Sequence, residues 1–258
     1  MPPIVHRVPV IERMVEILGH LERADGHPTV RDLATSSGVP RSTVYRILNT
    51  LEAHRFVVRS GNDGGYRLGS RLVTLASSVP EGAQWQQLAE TAQPWLERLA
   101  SEVGETTKLS VLDGDAALCI AVARGTSPFT VAAMRGGRYP LHAGAASKIL
   151  LSAMDQEQRD SILSVPLASY TPSTITDAKL LRQELQRVRR NGFAEDRGEH
   201  NANIVAVAAP LVDYPGHVVA AISIAYLADL ATADRMRFRD AVRRTANAMS
   251  GPNLLLSK

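Results

Sequence analysis

Apolar residues recur at helical spacing through the first hundred positions, and from Thr107 the period shortens to two. Val10, Met14, Ile17, Leu18 and Leu21 predict a helix over Val10 to Leu21, after a tail, residues 1–9, that carries three prolines. A second helix is expected to open at Thr29, whose hydroxyl suits an N-cap, with Asp32 three positions on as a near-capping box. It buries Val30, Leu33 and Ala34 and stops at Gly38, which tolerates the positive φ of a tight turn. Pro40 suits the first turn of the next helix, where its missing N–H is no loss. There Val44, Ile47, Leu48 and Leu51 fall at i, i+3, i+4 and i+7 and form one buried stripe. Phe56-Val57-Val58, a Gly/Asn/Asp turn from Gly61 to Gly65 and Tyr66-Arg67-Leu68 then predict a β-hairpin.

Ser70 to Ser77 reads as a short helix with Leu72, Val73, Leu75 and Ala76 inward, and Ser77 to Gly82 breaks it at the best position for a domain boundary. Trp85 to Glu102 is helical again. Its Leu88, Ala92, Trp95 and Leu99 fit a core or a dimer seam equally, and Pro94 is expected to kink or restart it. Lys108–Leu112 and Ala117–Ala123 flank an Asp113-Gly114-Asp115 turn, Thr130–Met134 adds a strand, and Ile204–Val212 and Val218–Tyr226 form a second hairpin. Helices are expected at Ala145 to Ala153, around Gln156–Leu163, at Thr176 to Arg190 (apolar Leu180, Leu181, Leu185, Val188) and at Thr232 to Met249. Strands joined by turns, without regular alternation with helices, predict a mainly antiparallel sheet with helices against it. The expected class is α+β, with a first domain over 1–77, a linker over 78–87 and a second domain over 88–258.

At 258 residues, with 45% apolar and 21% charged content, the chain can build two cores and is neither disordered nor fibrous. The net charge of +3 is unevenly placed: residues 1–71 hold ten Arg and seven Asp/Glu, whereas 72–258 hold nineteen charges of each sign. The basic excess therefore lies on the first domain. The single cysteine, Cys119, excludes an intramolecular disulfide and any CxxC motif, and within LCIAV it reads as a buried small hydrophobe. The N-terminus lacks a signal-peptide core, and the longest apolar run, Val218 to Ala228, is too short to span a bilayer. A cytoplasmic protein without a membrane partner is expected.

The third helix turns Arg41, Ser42, Thr43, Tyr45, Arg46 and Asn49 away from its apolar stripe, a set of phosphate and base-edge partners with no acid among them. A merely solvated face normally mixes signs. With a hairpin placed as a wing, the domain reads as a winged helix-turn-helix; an ordinary αα-hairpin packed in a core is the competing reading. In the second domain, Tyr139 to Lys148 places small residues at a helix opening, which suits either an anion on free N–H groups or close helix–sheet packing. Asp196, Glu199 and His200 have a spacing seen in metal ligands, but Gly192 and Gly198 argue against a helix there, and no metal is expected. The Ala/Val/Ile-rich strand pair, with Ser223 its one polar interior residue, fits tight packing or a ligand cavity.

GVPRSTVYRILNTLE followed by YRLGSRLVTLA, with the lead-in IERMVEIL, resembles the DNA-binding domain of the IclR family of bacterial transcriptional regulators. PLHAGAASK, Gly192 to Asp196, Glu199 with Ala208-Ala209-Pro210, and AAISIAY are similar to that family's effector-binding domain. The resemblance covers most of the chain. It implies an N-terminal winged helix-turn-helix joined by a linker helix to a GAF/profilin-like effector domain, acting as a homodimer or dimer of dimers on a pseudo-palindromic double-stranded DNA operator. DNA contacts are expected from Arg31, Arg41, Ser42, Thr43, Tyr45, Arg46 and Asn49. A small organic acid or aromatic effector is expected against Gly144, Ala145, Ala146, Asp196, Ala206, Ser223 and Ala225, with no cofactor. Ser147 and Asn203 stand where the family usually has glycine, and Ala206 and Ala225 where some relatives are polar, which suggests a less polar effector. The alternative is an enzyme using His142, Asp196 or Ser223, although no nucleophile-elbow, zinc-helix or phosphate-loop spacing occurs.

Overall fold

The computed structural model describes residues 8–60, 64–76, 79–214, 216–229 and 232–251, and the chain forms two compact units, 1–83 and 84–258. The first contains α1 (Pro9–Arg23), α2 (Val30–Ser37), α3 (Arg41–Ala53), β1 (Val57–Ser60), β2 (Gly65–Leu68) and α4 (Ser70–Ala76). Thr29 caps α2 reciprocally: its hydroxyl accepts from the Asp32 N–H, and its own N–H donates to the Asp32 carboxylate at 2.9 Å. Gly38 ends the helix at φ 68°, a left-handed conformation costly for residues with a Cβ. Pro40 stands at the N-cap of α3, one position before the helix proper. Val44, Ile47, Leu48 and Leu51 are all buried, and they share a core with Ile17, Leu21, Leu33, Val57 and Tyr66. β1 and β2 pair antiparallel with Val57 opposite Leu68; part of the predicted turn, 61–63, lies outside the described residues.

Three expectations in this unit need correction. Pro9 begins α1 instead of ending a tail, of which 1–7 lie outside the described residues, and Val10 is exposed. In α4 the predicted inward stripe is not buried: Val73 is 72% exposed and Leu75 40%. The start of α4 is set by backbone bonds, Gly69 N–H to Phe56 O and Arg71 N–H to Arg55 O, which fix it without burying its apolar residues. Pro80 to Gly82, expected within a break, form the first turn of α5 (Pro80–Val103), where proline's missing N–H costs nothing.

α5 continues through Pro94 as one helix. Leu88, Ala92 and Leu99 are buried in the core of the second unit, with Trp85 and Trp95 packed at its margin, so the stripe is core. The strands are β3 (Thr106–Asp113), β4 (Ala116–Ala123), β5 (Arg138–Pro140), β6 (Ala194–Arg197), β7 (Ile204–Val212) and β8 (Val218–Leu227). They form one sheet in the order β5-β4-β3-β8-β7-β6, with every adjacent pair antiparallel. The helices are α6 (Ala145–Ala153), α7 (Gln156–Leu163), α8 (Ala178–Asn191) and α9 (Thr232–Met249).

Thr130–Met134 is not a strand. The edge of β4 is taken by β5, and the Cys119 N–H and C=O bond to Gly137 and Gly136 instead. α8 starts two residues later than expected, capped by the Asp177 carboxylate on the Leu180 N–H, and Leu180 itself is exposed.

Alternation along the central strands sorts side chains by size. Leu109, Val111, Val207, Ile222, Ile224 and Tyr226 face one layer of core with α5 and α9 residues. Ala206, Ala208, Ala221 and Ala225 face the other, against α6 and α8. Small residues on that face let α6, buried along nearly its whole length, lie close to the sheet and leave space beside its opening turn.

Candidate functional site

In the first unit, Arg41, Ser42, Tyr45 and Arg46 are exposed on α3, Thr43 and Asn49 are half-buried, and Arg31 is exposed on α2. The hairpin reaches this face through Arg59, whose Nε lies 3.2 Å from Glu52 Oε2 and whose guanidinium stacks 5.5 Å from the Tyr66 ring centroid. Asn49, and then Arg59, hydrogen-bond the Tyr45 hydroxyl and lower its pKa. Glu52, the one acid of α3, is thus paired with the wing, and the helix keeps a basic and polar surface.

The second unit encloses a cavity of about 90 Å³ between the start of α6 and the small-residue face of the sheet. All seven predicted positions, Gly144, Ala145, Ala146, Asp196, Ala206, Ser223 and Ala225, line it. Gly144 has φ 119°, and a Cβ there would meet Ser147 Oγ at 3.3 Å as well as straining the backbone. Ser223 is 1% exposed, and its Oγ has no hydrogen-bond partner. A buried hydroxyl normally finds one, and this one belongs to the cavity wall.

Behind the wall lies a charged network. Lys148, 1% exposed, donates to Glu199 Oε1 at 2.5 Å, Glu184 Oε1 at 3.0 Å and the Glu195 carbonyl at 2.5 Å. Glu199 Oε2 accepts from the Gly144 N–H at 3.3 Å, and Asp196 Oδ1 accepts from the Glu199 N–H at 2.7 Å. Burial raises the Glu199 and Asp196 carboxyls above the usual range against the opposing pull of Lys148. Burial acts the same way on Glu184, but Lys148 and Arg187 outweigh it and hold that carboxyl low. Asp196 and Glu199 are thus engaged within the protein, and no group of acids, histidines and cysteines able to hold a metal occurs among the described residues.

Lys108, Tyr139 and His200 also line the cavity, in addition to the seven positions expected there. The Lys108 ammonium lies 4.7 Å from the Tyr139 ring centroid, and burial lowers its pKa, with Cys119 and Asp196 pulling the other way. The signal was present in KLSVLD, where Lys108 and Ser110 alternate with the apolar Leu109 and Val111. At the cavity's side, Tyr139, His200, Tyr170 and His142 form a chain of ring contacts, and His142 Nε2 lies 2.8 Å from the Ala168 carbonyl oxygen. No base is hydrogen-bonded to Ser223 Oγ to activate it.

Residues 10–61 match the IclR helix-turn-helix domain, and residues 82–251 match the bacterial transcriptional regulator IclR C-terminal domain. The chain belongs to the IclR family. The HTH-type transcriptional repressor AllR of Salmonella typhi is 33% identical to this IclR-family chain over 242 residues, which cover 93% of this chain and 88% of that one. The structure of an IclR homolog complexed with 4-hydroxybenzoate from Microbacterium hydrocarbonoxydans is 28% identical, with a TM-score of 0.72 over 93% of this chain and 97% of that one. The IclR transcriptional regulator of Alicyclobacillus acidocaldarius is 27% identical, with a TM-score of 0.70 over 95% and 98%. This IclR-family member is a helix-turn-helix transcriptional regulator, its relatives are named as transcriptional repressors and regulators and not as enzymes, and its second unit has the α+β antiparallel sheet of that family. Among the described residues no helix is long and apolar enough to cross a membrane.

Proposed function

We propose that this IclR-family regulator binds a pseudo-palindromic operator as a homodimer or dimer of dimers in the cytoplasm, and that a small organic acid in the α6 cavity alters operator occupancy. Arg31, Arg41 and Arg46 contact phosphates, while Ser42, Thr43, Tyr45 and Asn49 position the helix or read base edges. The observation that carries the sensor half is convergence. Seven positions scattered from Gly144 to Ala225 meet around one cavity that holds an unpartnered serine hydroxyl. A relative in complex with 4-hydroxybenzoate supports an organic-acid effector. The effector acts by population shift, binding one of two forms of the protein more tightly than the other.

The DNA half is tested by fluorescence anisotropy on duplexes selected by the protein from a random pool. Arg41→Ala and Arg46→Ala each weaken binding, and the double variant lowers the slope of log affinity against log salt by about 1–2. Unchanged affinity and slope in a folded double variant contradict the assignment of α3 as the DNA-contacting helix.

A further inference from the structure

Two polar side chains of the cavity wall, Lys108 and Ser223, have no hydrogen-bond partner among the described residues, and they are neighbours. Lys108 on β3 and Ser223 on β8 are directly paired across the sheet, which sets their Cβ atoms roughly 5 Å apart on the same face. Ser223 Oγ accepts and donates no hydrogen bond. Among the described residues no carboxylate lies within ion-pair distance of the Lys108 ammonium and no acceptor bonds it; its contact is the face of Tyr139. Asp196 attracts this half-buried ammonium without pairing with it, and an ammonium drawn out of water without a paired carboxylate is costly to hold.

The other positive end in the cavity already holds one carboxylate. The amino end of α6 offers a positive dipole, but the Glu199 carboxylate sits there, bonded to the Gly144 N–H and to Lys148. A second anion at that helix end would lie close to the first. Asp196, also in the wall, repels an anion and suits a hydroxyl or N–H group of a ligand.

We infer that the effector's carboxylate is received by the Lys108 ammonium and the Ser223 hydroxyl, which makes Lys108 the residue that selects acids over their neutral isosteres. This rests on the cavity being the effector site. One carboxylate oxygen pairs with the ammonium while the serine hydroxyl donates to either oxygen, and both vacancies are filled at once. The cavity's about 90 Å³ is below the roughly 150 Å³ that holds a benzene, so acids of a few carbon atoms fit it without rearrangement.

The test uses the full chain with acetate, lactate, butyrate, benzoate and 4-hydroxybenzoate, each beside its amide, read by thermal shift and titration calorimetry. Wild type is expected to bind at least one acid in preference to its amide. Lys108→Met weakens that acid about 10- to 100-fold, the range for a charged hydrogen-bonded contact, so that acid and amide bind alike, while Lys108→Arg retains the preference. Lys108→Met also melts no lower than wild type without ligand, because it removes an unpaired charge. Acid affinity unchanged in Lys108→Met overturns the inference, as does failure of every acid to bind wild type. Ala225→Leu separates the two levels. If it abolishes acid binding while Lys108→Met does not, the cavity stands and the role of Lys108 falls. If neither variant weakens the acid, the cavity reading falls as well.

Discussion

Lys148 shows how much a single residue in this fold depends on its partners. Its ammonium is buried in α6 between Glu199 and Glu184, which tie that helix to the turn after β6 and to α8. Lys148→Met removes one positive charge and leaves the buried Glu199 carboxylate without its cation, while Glu184 keeps Arg187. Such a broken pair is expected to cost about 3–5 kcal/mol, read as a lower urea midpoint for the sensor unit with unchanged m. At this scale the sequence was only partly legible. Gly144, Asp196 and Ser223 could be selected because small and polar residues stand out in apolar strands. Lys108 was not selected: its alternation with Leu109 puts it on one face of a strand, but nothing in its local sequence shows that β8 lies beside it.

Among elements, α3 was the most legible, because its period of 3.6 separates a buried stripe from a basic polar face within thirteen residues. Leu48→Ala should lower stability by about 2–5 kcal/mol, the range for truncating a buried leucine, whereas Asn49→Ala on the opposite face should change it little. Calorimetry that finds the reverse order would put the helix in the wrong phase, and the DNA-contacting face with it. Elements whose placement depends on distant neighbours were less legible. Thr130–Met134 alternates like a strand, yet the Gly136-Gly137 turn and β5 occupy the β4 edge it would need. Apolar spacing in α4 likewise predicted burial, but periodicity says which residues share a face, not whether anything covers it.

For the whole molecule, the layered sheet explains why the cavity beside α6 can exist at all. Large side chains fill the face toward α5 and α9, and alanines on the reverse leave α6 close to the strands with a gap beside its first turn. Ala225 and Ala206, opposite each other across β8 and β7, set the depth of that gap. Their side chains belong to the second unit, whereas Arg41 and Arg46 belong to the first. The most direct measurement is operator binding by wild type and Ala225→Leu, with and without the acid that wild type binds most tightly. Equal operator affinity is expected for the two proteins without the acid, with an acid-induced change in wild type that is absent in Ala225→Leu. An undiminished acid response in Ala225→Leu, or loss of its operator binding without the acid, would contradict the cavity as the site through which this regulator senses its effector.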